Sequence, residues 1–150
     1  MKKGFTIIEL LIVISIIGIL AGVIMTVINP ETQRDRARDA VKMETLRKLV
    51  QPLESYTATQ NCAPIDLDGN RKIEEGTDGD WGQLSVFLNV WPADYDGAAY
   101  EYTRYGCQDY MISIPKSSDT GRVYKYDTAW GEIRDCLLAN RFSSGQCNEE

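Results

Sequence analysis

The chain has 150 residues, with 16 Lys and Arg, 22 Asp and Glu, four Cys, no His and a formal net charge of −6. The length predicts one domain with a modest core, and the lack of His excludes a His general base, a Ser-His-Asp triad and a His-ligated metal. The acidic balance argues against duplex nucleic acid as an electrostatic partner. The mean hydropathy of −0.29 averages two unlike pieces, because residues 10–28 carry no charge whereas the chain beyond Asn29 is polar and rich in charge.

The uncharged run at residues 10–28 predicts a helix that inserts into a membrane. At a rise of 1.5 Å per residue its 19 residues span about 28 Å, close to the ~30 Å of a bilayer's hydrocarbon core. Lys2 and Lys3 precede the run and predict a cytoplasmic N-terminus. The run is longer than the roughly 7–15 apolar residues of a secretory signal, although Ala21 and Gly22 form a weak cleavage site. A plain membrane anchor is the simplest interpretation of this segment.

Glu9 is the feature that a plain anchor does not explain. It is the only charged residue between Lys3 and Glu31. A carboxylate at the start of a membrane span costs on the order of a few kcal/mol to insert, so we expect it to be neutralised or paired. The alternative is a glutamate that is protonated, or that snorkels to the bilayer edge.

The N-terminal segment resembles the leader and first helix of type IV pilins and of the pseudopilins of type II secretion systems. It has the sequence GFTIIELL at residues 4–11, after a short basic leader and before the uninterrupted apolar run. The resemblance implies that an aspartyl peptidase cuts between Gly4 and Phe5 and methylates Phe5. It also implies that Thr6 and Glu9 serve assembly, with Glu9 pairing with the charged amine of a neighbouring subunit's first residue.

The resemblance implies a structural subunit and not an enzyme: a prepilin that polymerises through its N-terminal helix into a type IV pilus-like filament. The implied partners are further copies of the chain, a prepilin peptidase, an inner-membrane platform protein, an assembly ATPase and, before assembly, membrane lipid. We expect a single-pass inner-membrane protein that later enters an extracellular or periplasmic filament, without a specific nucleic acid. A type II secretion pseudopilin is the main alternative, and a membrane-anchored extracytoplasmic binding module is the other.

Glycine and proline positions leave the internal shape of the apolar helix open. Gly18 and Gly22 lie four residues apart, which favours either close helix–helix approach or a locally weakened helix. Many members of the family have a proline where this chain has Thr26, whereas here the proline is Pro30.

Residues 30–57 are predicted to be the amphipathic half of the same long helix, after a membrane half at residues 5–29. Apolar residues recur every three or four positions, and the remaining positions are rich in charges of both signs. We expect a solvated face with local ion pairs, the alternative being salt bridges between subunits. Pro52 should kink this helix or end it nearby.

Residues 58–98 are predicted to be an acidic connecting loop. Within it, Asp66, Asp68 and Asn70 place oxygen ligands at alternate positions, as in a calcium loop, and Asp78 could add another. The sixth and twelfth positions of the pattern, Gly and Glu in a calcium loop, are Arg and Thr here. Some pseudopilins bind calcium in an acidic loop, so a calcium ion is the one cofactor considered. The alternative is an Asp/Gly/Asn turn in a solvated loop.

Residues 99–128 are predicted to form an antiparallel sheet of three to four strands. Alternating segments at residues 99–105, 110–114 and 121–126 are separated by turn residues, which predicts a meander. One face should pack on the apolar stripe of the helix, since a small bare sheet is marginal in water. The predicted fold class is therefore α+β and pilin-like.

Aromatic residues are concentrated in this sheet, with seven of the eight Tyr between residues 95 and 126. We expect half-buried strand residues with their hydroxyls outward. A stacking surface for nucleobases or sugars, or aromatic electron transfer along a filament, is the alternative. Trp81, Trp91 and Trp130 are expected to anchor the small core.

The four cysteines all follow the apolar run and have no CxxC spacing, which disfavours a zinc ribbon or a thioredoxin-type motif. An even number on the non-cytoplasmic side predicts two disulfides, for which three pairings exist. Many pilins close a C-terminal loop with a disulfide, and this resemblance implies that Cys136 pairs with Cys147, within a closed segment at residues 129–150. Cys62 would then bond Cys107 and join helix to sheet.

Overall fold

A computed structural model describes residues 4–27, 29–66, 69, 71–73, 81–92 and 100–147. The chain divides into two compact units, Met1–Asp35 and Arg36–Glu150. The helices are α1 (Ile7–Val27), α2 (Pro30–Gln60) and the short α3 (Trp81–Leu84), with a 3-10 turn at Leu138–Asn140. The strands are β1 (Lys72–Ile73), β2 (Tyr100–Arg104), β3 (Tyr110–Pro115), β4 (Arg122–Asp127) and β5 (Glu132–Leu137).

The helical part of the chain consists of two consecutive segments. α1 ends at Val27 and α2 begins at Pro30, near the end of the first unit. Pro30 lacks an N–H and disfavours helical conformation in the residue before it, but it suits the first position of a new helix. Asn29 caps that helix, because its side-chain oxygen accepts the N–H of Glu31 at 3.1 Å.

In the second unit, α2 continues through Pro52 to Gln60, so Pro52 does not end the helix. Its buried stripe comprises Leu46, Leu49, Val50 and Leu53. Asn61 follows the last helical residue with a φ of 56°, the left-handed conformation in which many helices end.

The sheet is a five-stranded antiparallel meander in the order β1-β2-β3-β4-β5. The register sets Tyr102 opposite Ile112, and Ile112 opposite Tyr126. The three predicted strands are present, and the predicted count of three to four was too low. The additional strands are β1, which has only two residues, and β5, whose charged residues obscure the alternation.

One core joins the buried stripe of α2 to the sheet. The sheet contributes Ile112, Ile114 and five tyrosines that are each at most 9 % exposed: Tyr100, Tyr102, Tyr110, Tyr124 and Tyr126. These rings are more deeply buried than the sequence predicted, and none of them is available for stacking with a ligand. Trp91 packs at the edge of the core, whereas Trp130 lies outside it beside the Lys125 ammonium, and the side chain of Trp81 is outside the described part of the chain.

The opposite face of the sheet is also covered, because the chain after β5 crosses it. Lys125 is fully buried there and donates to the backbone carbonyl oxygens of Asn140, Ser143 and Gln146, at 3.1 Å for Asn140 and 3.3 Å for Gln146. Its ammonium lies 3.6 Å from the carboxylate of Asp127, which is also fully buried. A charged side chain in the middle of a strand therefore holds the C-terminal segment in place.

A second polar contact attaches α2 to the turn between β3 and β4. Asp39 is 3 % exposed and accepts the backbone N–H groups of Ser117 at 2.6 Å and Ser118 at 3.2 Å, together with the Ser118 hydroxyl. One turn along the helix, Lys42 donates to the Pro115 carbonyl oxygen at 3.1 Å and to the Ser117 hydroxyl at 2.8 Å. These two side chains fix the hairpin on the helix.

Candidate assembly site at the N-terminus

Thr6 and Glu9 form a reciprocal cap at the start of α1. The backbone N–H and the hydroxyl of Thr6 both donate to Glu9 Oε2, at 3.0 and 2.6 Å, and the Glu9 N–H donates to Thr6 Oγ1 at 3.3 Å. This is a capping box, the pattern T-x-x-E at a helix start. The resemblance implies a role in assembly for both residues, whereas the capping box is a separate feature whose sequence signal is their spacing ahead of an apolar run.

The expected processing site directly precedes this cap. Gly4 and Phe5 lie outside the helix, and both are exposed, with the Phe5 side chain at 75 %. Apart from Gly4 and its two chain neighbours, no atom of the described residues lies within 4 Å of the place where a Cβ on Gly4 would stand. Among the described residues, nothing therefore crowds the bond between Gly4 and Phe5.

The rest of α1 presents apolar side chains on all sides. Residues Ile7–Ile24 have a mean hydropathy of 2.9, and none of this stretch is buried within the chain. Ser15, the polar side chain in the middle of the helix, bonds back to the Leu11 carbonyl oxygen at 2.7 Å. Gly18 and Gly22 both have open space where a Cβ would stand. A helix of this kind needs lipid, or other apolar helices, around it.

Residues 1–25 match the family model described as the prokaryotic N-terminal methylation motif. This motif is the prepilin signature of type IV pilins and pseudopilins, which are structural subunits and not enzymes. The helix followed by an antiparallel sheet is an α+β, pilin-like fold. No curated protein and no solved structure matches the chain. The motif and the apolar helix together fit a membrane-anchored, single-pass protein.

Two disulfides cross-link the second unit. Cys62 bonds Cys107, which ties the end of α2 to the turn between β2 and β3, and the Ala63 N–H donates to the Cys107 carbonyl oxygen at 2.5 Å. Cys136 bonds Cys147 and closes the C-terminal segment on β5. All four cysteines are therefore used in cross-links.

Of the four residues considered for calcium, only Asp66 lies in the described part of the chain. Its two carboxylate oxygens accept the backbone N–H groups of Gly69 and Arg71, both at 2.9 Å, and so close a turn. Arg71, at the position of the pattern's glycine, has a φ of 62°. Asp68, Asn70 and Asp78 fall outside the described residues. Among the residues with a defined placement, no three His, Cys, Asp or Glu side chains come together as a metal site.

Proposed function

We propose that this chain is a prepilin that is cleaved between Gly4 and Phe5, is methylated on Phe5, and polymerises through α1 into a type IV pilus-like filament. The match of residues 1–25 to the methylation motif carries this proposal. The apolar surface of α1 supports it, since bundling in a filament core would bury a helix that nothing in its own chain covers. The motif also implies processing by a prepilin peptidase.

Glu9 supplies the polar contact that sets the register of the bundle. Both Thr6 donors converge on Oε2, so that Oε1 faces no hydrogen-bond donor of this unit among the residues the structure places. The amine that cleavage creates on Phe5 of a neighbouring copy would pair with this oxygen. Such a pair is costly to break in apolar surroundings, whereas contacts between Ile, Leu and Val can shift along the helix. Thr6 orients the carboxylate for this pairing.

The same processing changes the charge of the subunit. Removing four residues leaves 146, and the loss of Lys2 and Lys3 takes the formal charge from −6 to −8. Before assembly, α1 crosses the inner membrane with its N-terminus in the cytoplasm, where the platform protein and the assembly ATPase act. The second unit then forms an acidic exterior, outside the cell or in the periplasm.

A pseudopilin of a type II secretion system is the second candidate. The acidic composition of the loop at residues 58–98 favours it, because some pseudopilins bind calcium in such a loop. The closed C-terminal segment favours a pilin.

Filament formation by variants of Glu9 tests the proposal. Glu9→Gln keeps an acceptor for the capping box but removes the charge, and Glu9→Val removes both. We expect both variants to reach the membrane at the same level as the wild-type protein. Electron microscopy of material sheared from the cell surface should show no filaments for either variant. Ser15→Ala removes a polar group from the same helix and should assemble normally.

Mass spectrometry of the sheared subunit separates the classes of protein. The expected mass is that of 146 residues with one added methyl group on Phe5. If the wild-type protein keeps Met1 and forms no filaments, the protein is a plain membrane anchor and not a prepilin. If Glu9→Gln forms normal filaments, the Glu9 carboxylate does not need to pair with the Phe5 amine. The assignment of the chain as a prepilin would still stand.

A further inference from the structure

The two disulfides differ in how far they are open to solvent. In the Cys62–Cys107 pair, Cys107 is exposed in the turn between β2 and β3, and Cys62 is half-buried. In the Cys136–Cys147 pair, Cys136 is 0 % exposed and Cys147 is half-buried. Thiol–disulfide exchange begins when a thiolate reaches one of the two sulfurs, so exposure decides which pair can react.

The surroundings of Cys62 favour its release as a thiolate. Attack on the exposed Cys107 Sγ breaks the S–S bond and makes Cys62 the leaving group, which is in partial contact with water. The Arg104 guanidinium donates to the Ala63 carbonyl oxygen at 2.9 Å, so a positive charge lies beside the segment that carries Cys62. A nearby cation stabilises a thiolate, and a stabilised thiolate leaves faster.

The Cys136–Cys147 pair lacks these advantages. Attack on Cys147 would release the Cys136 thiolate in a fully buried position, where an unpaired negative charge is unfavourable. The Cys147 Sγ also lies 3.5 Å from the Asp135 carbonyl oxygen, whose partial negative charge opposes an approaching thiolate. Exchange at this pair should therefore be slow while the second unit is folded.

The contact between the end of α2 and the sheet does not depend on the S–S bond of Cys62 alone. The Ala63 N–H donates to the Cys107 carbonyl oxygen at 2.5 Å, and the Tyr102 hydroxyl donates to the Pro64 carbonyl oxygen at 2.8 Å. Ala63 is only 2 % exposed. These contacts would hold the segment on β2 after the two sulfurs have separated.

From these differences we propose that the Cys62–Cys107 disulfide is a redox switch between helix and sheet. A dithiol opens it reversibly, whereas the Cys136–Cys147 pair stays closed and the second unit stays folded. Opening removes the cross-link over 45 positions, so the reduced form is folded but less stable than the oxidised form.

The exchange has two steps. A thiolate of the dithiol forms a bond to Cys107 Sγ, and Cys62 leaves as a thiolate that takes up a proton. The second thiol of the dithiol, as its thiolate, then attacks the mixed disulfide, closes the dithiol's own S–S bond and releases Cys107, which is protonated in turn. Two electrons and two protons pass from the dithiol to the two cysteines.

Timed reduction of the full chain by dithiothreitol tests the proposal, in detergent micelles and with iodoacetamide to trap free thiols. A Lys or Arg lies between each cysteine and the next, so trypsin separates all four for mass spectrometry. We expect Cys62 and Cys107 to be alkylated roughly tenfold faster than Cys136 and Cys147. Equal rates, or the reverse order, would overturn the proposal.

Reduction of the same chain in urea is the matched control, because unfolding exposes all four cysteines. Both pairs should then react at similar rates. If the difference persists in urea, it comes from the local sequence around each cysteine and not from the fold, and the structural argument is wrong.

Tryptophan fluorescence shows whether the second unit stays folded, since all three tryptophans lie in it. Protein in which only Cys62 and Cys107 are reduced should keep its folded emission and unfold at a lower urea concentration. Reoxidation with oxidised glutathione should restore both the pair and the urea midpoint. A red shift before Cys136 and Cys147 react would show that the pair is required for folding and is not a switch. None of these outcomes bears on cleavage after Gly4 or on filament formation.

Discussion

Individual buried charges help to hold this protein together in addition to its apolar core. Asp127 accepts hydrogen bonds from the Tyr105 hydroxyl, from the Ala129 N–H at 3.0 Å and from the Gly145 N–H at 2.9 Å, and it also pairs with Lys125. Burial alone would raise the pKa of Asp127, but these bonds and the Lys125 charge outweigh it and lower the pKa below its usual 3.8. Burial lowers the pKa of Lys125, against the opposing effect of Asp127. Each charge is tolerated because of the other.

Asp127→Asn should destabilise the second unit by about 3 kcal/mol at pH 7, because it leaves the Lys125 ammonium buried without its counter-charge. Urea unfolding of the full chain in detergent measures the loss. Asp119→Asn makes the same substitution at an exposed aspartate in the turn before β4, and should cost less than about 0.5 kcal/mol.

The stability lost in Asp127→Asn should depend on pH. A carboxylate with a depressed pKa contributes its stabilisation above the unfolded-state value, near 3.8, and loses it as the pH falls through the folded-state value. The difference between wild type and Asp127→Asn should therefore be constant from about pH 7 to 5 and shrink below about pH 4. A difference that stays constant down to pH 2 would contradict the assignment of this charge.

At the residue scale, sequence position identified the charge that matters in the membrane helix but not those in the sheet. Glu9 stands out because everything around it is apolar. Lys125 and Asp127 alternate with Tyr124 and Tyr126, and such a pattern predicts a solvated face. That face is covered by residues 138–147, and the sequence of the strand alone does not show that this segment packs on it.

Among the elements, α2 does more than supply an apolar stripe. Asp39 and Lys42 lie on the helix and bind the turn between β3 and β4 through five hydrogen bonds, which connect residues more than 70 positions apart in the chain. The charge pattern of the helix predicts a solvated face for both residues, whereas both are buried. The helix therefore positions the hairpin as well as covering the sheet.

Asp39→Ala should free this turn from the helix. Two backbone N–H groups, those of Ser117 and Ser118, lose their acceptor, at a cost of about 1–3 kcal/mol. Hydrogen exchange measured by NMR should show faster exchange at these two amides. Glu44→Ala, at an exposed position of the same helix, should leave both rates unchanged; unchanged rates in Asp39→Ala as well would mean that the carboxylate does not hold the turn.

The three central strands were predictable because each alternates over five or six residues between turn residues. β1 has two residues, too few to carry a pattern, and forms only because Ile73 pairs with Tyr100. β5 is rich in charge, and one of its charges, Asp135, is neutralised by Lys116 at 2.6 Å and Arg122 at 2.7 Å. Whether β1 and β5 form therefore depends on the residues with which they pair, and those residues lie elsewhere in the chain.

Over the whole molecule, two cross-links close loops of different length. The Cys62–Cys107 pair spans 45 positions and the Cys136–Cys147 pair spans 11. In the chain-entropy model the longer loop contributes about 4 kcal/mol and the shorter about 3 kcal/mol.

Replacing both cysteines of a pair by Ala should therefore cost more stability for the Cys62–Cys107 pair than for the Cys136–Cys147 pair. The urea midpoints of the two double variants, measured side by side in the same detergent, give the comparison. The reverse order would show that the docking of the C-terminal segment, rather than loop entropy, dominates the contribution of the disulfides.

The sequence by itself determined the N-terminal segment of this protein: the apolar helix, the methylation motif at residues 1–25 and the outlying charge of Glu9. These are local properties, because a run of apolar residues needs no partner in its own chain to be recognised. Only the tertiary structure decided that Lys125 and Asp127 are buried and that the tyrosine rings of the sheet lie in the core. Burial and hydrogen bonding depend on which distant segment covers a face, and that information is distributed over the whole chain.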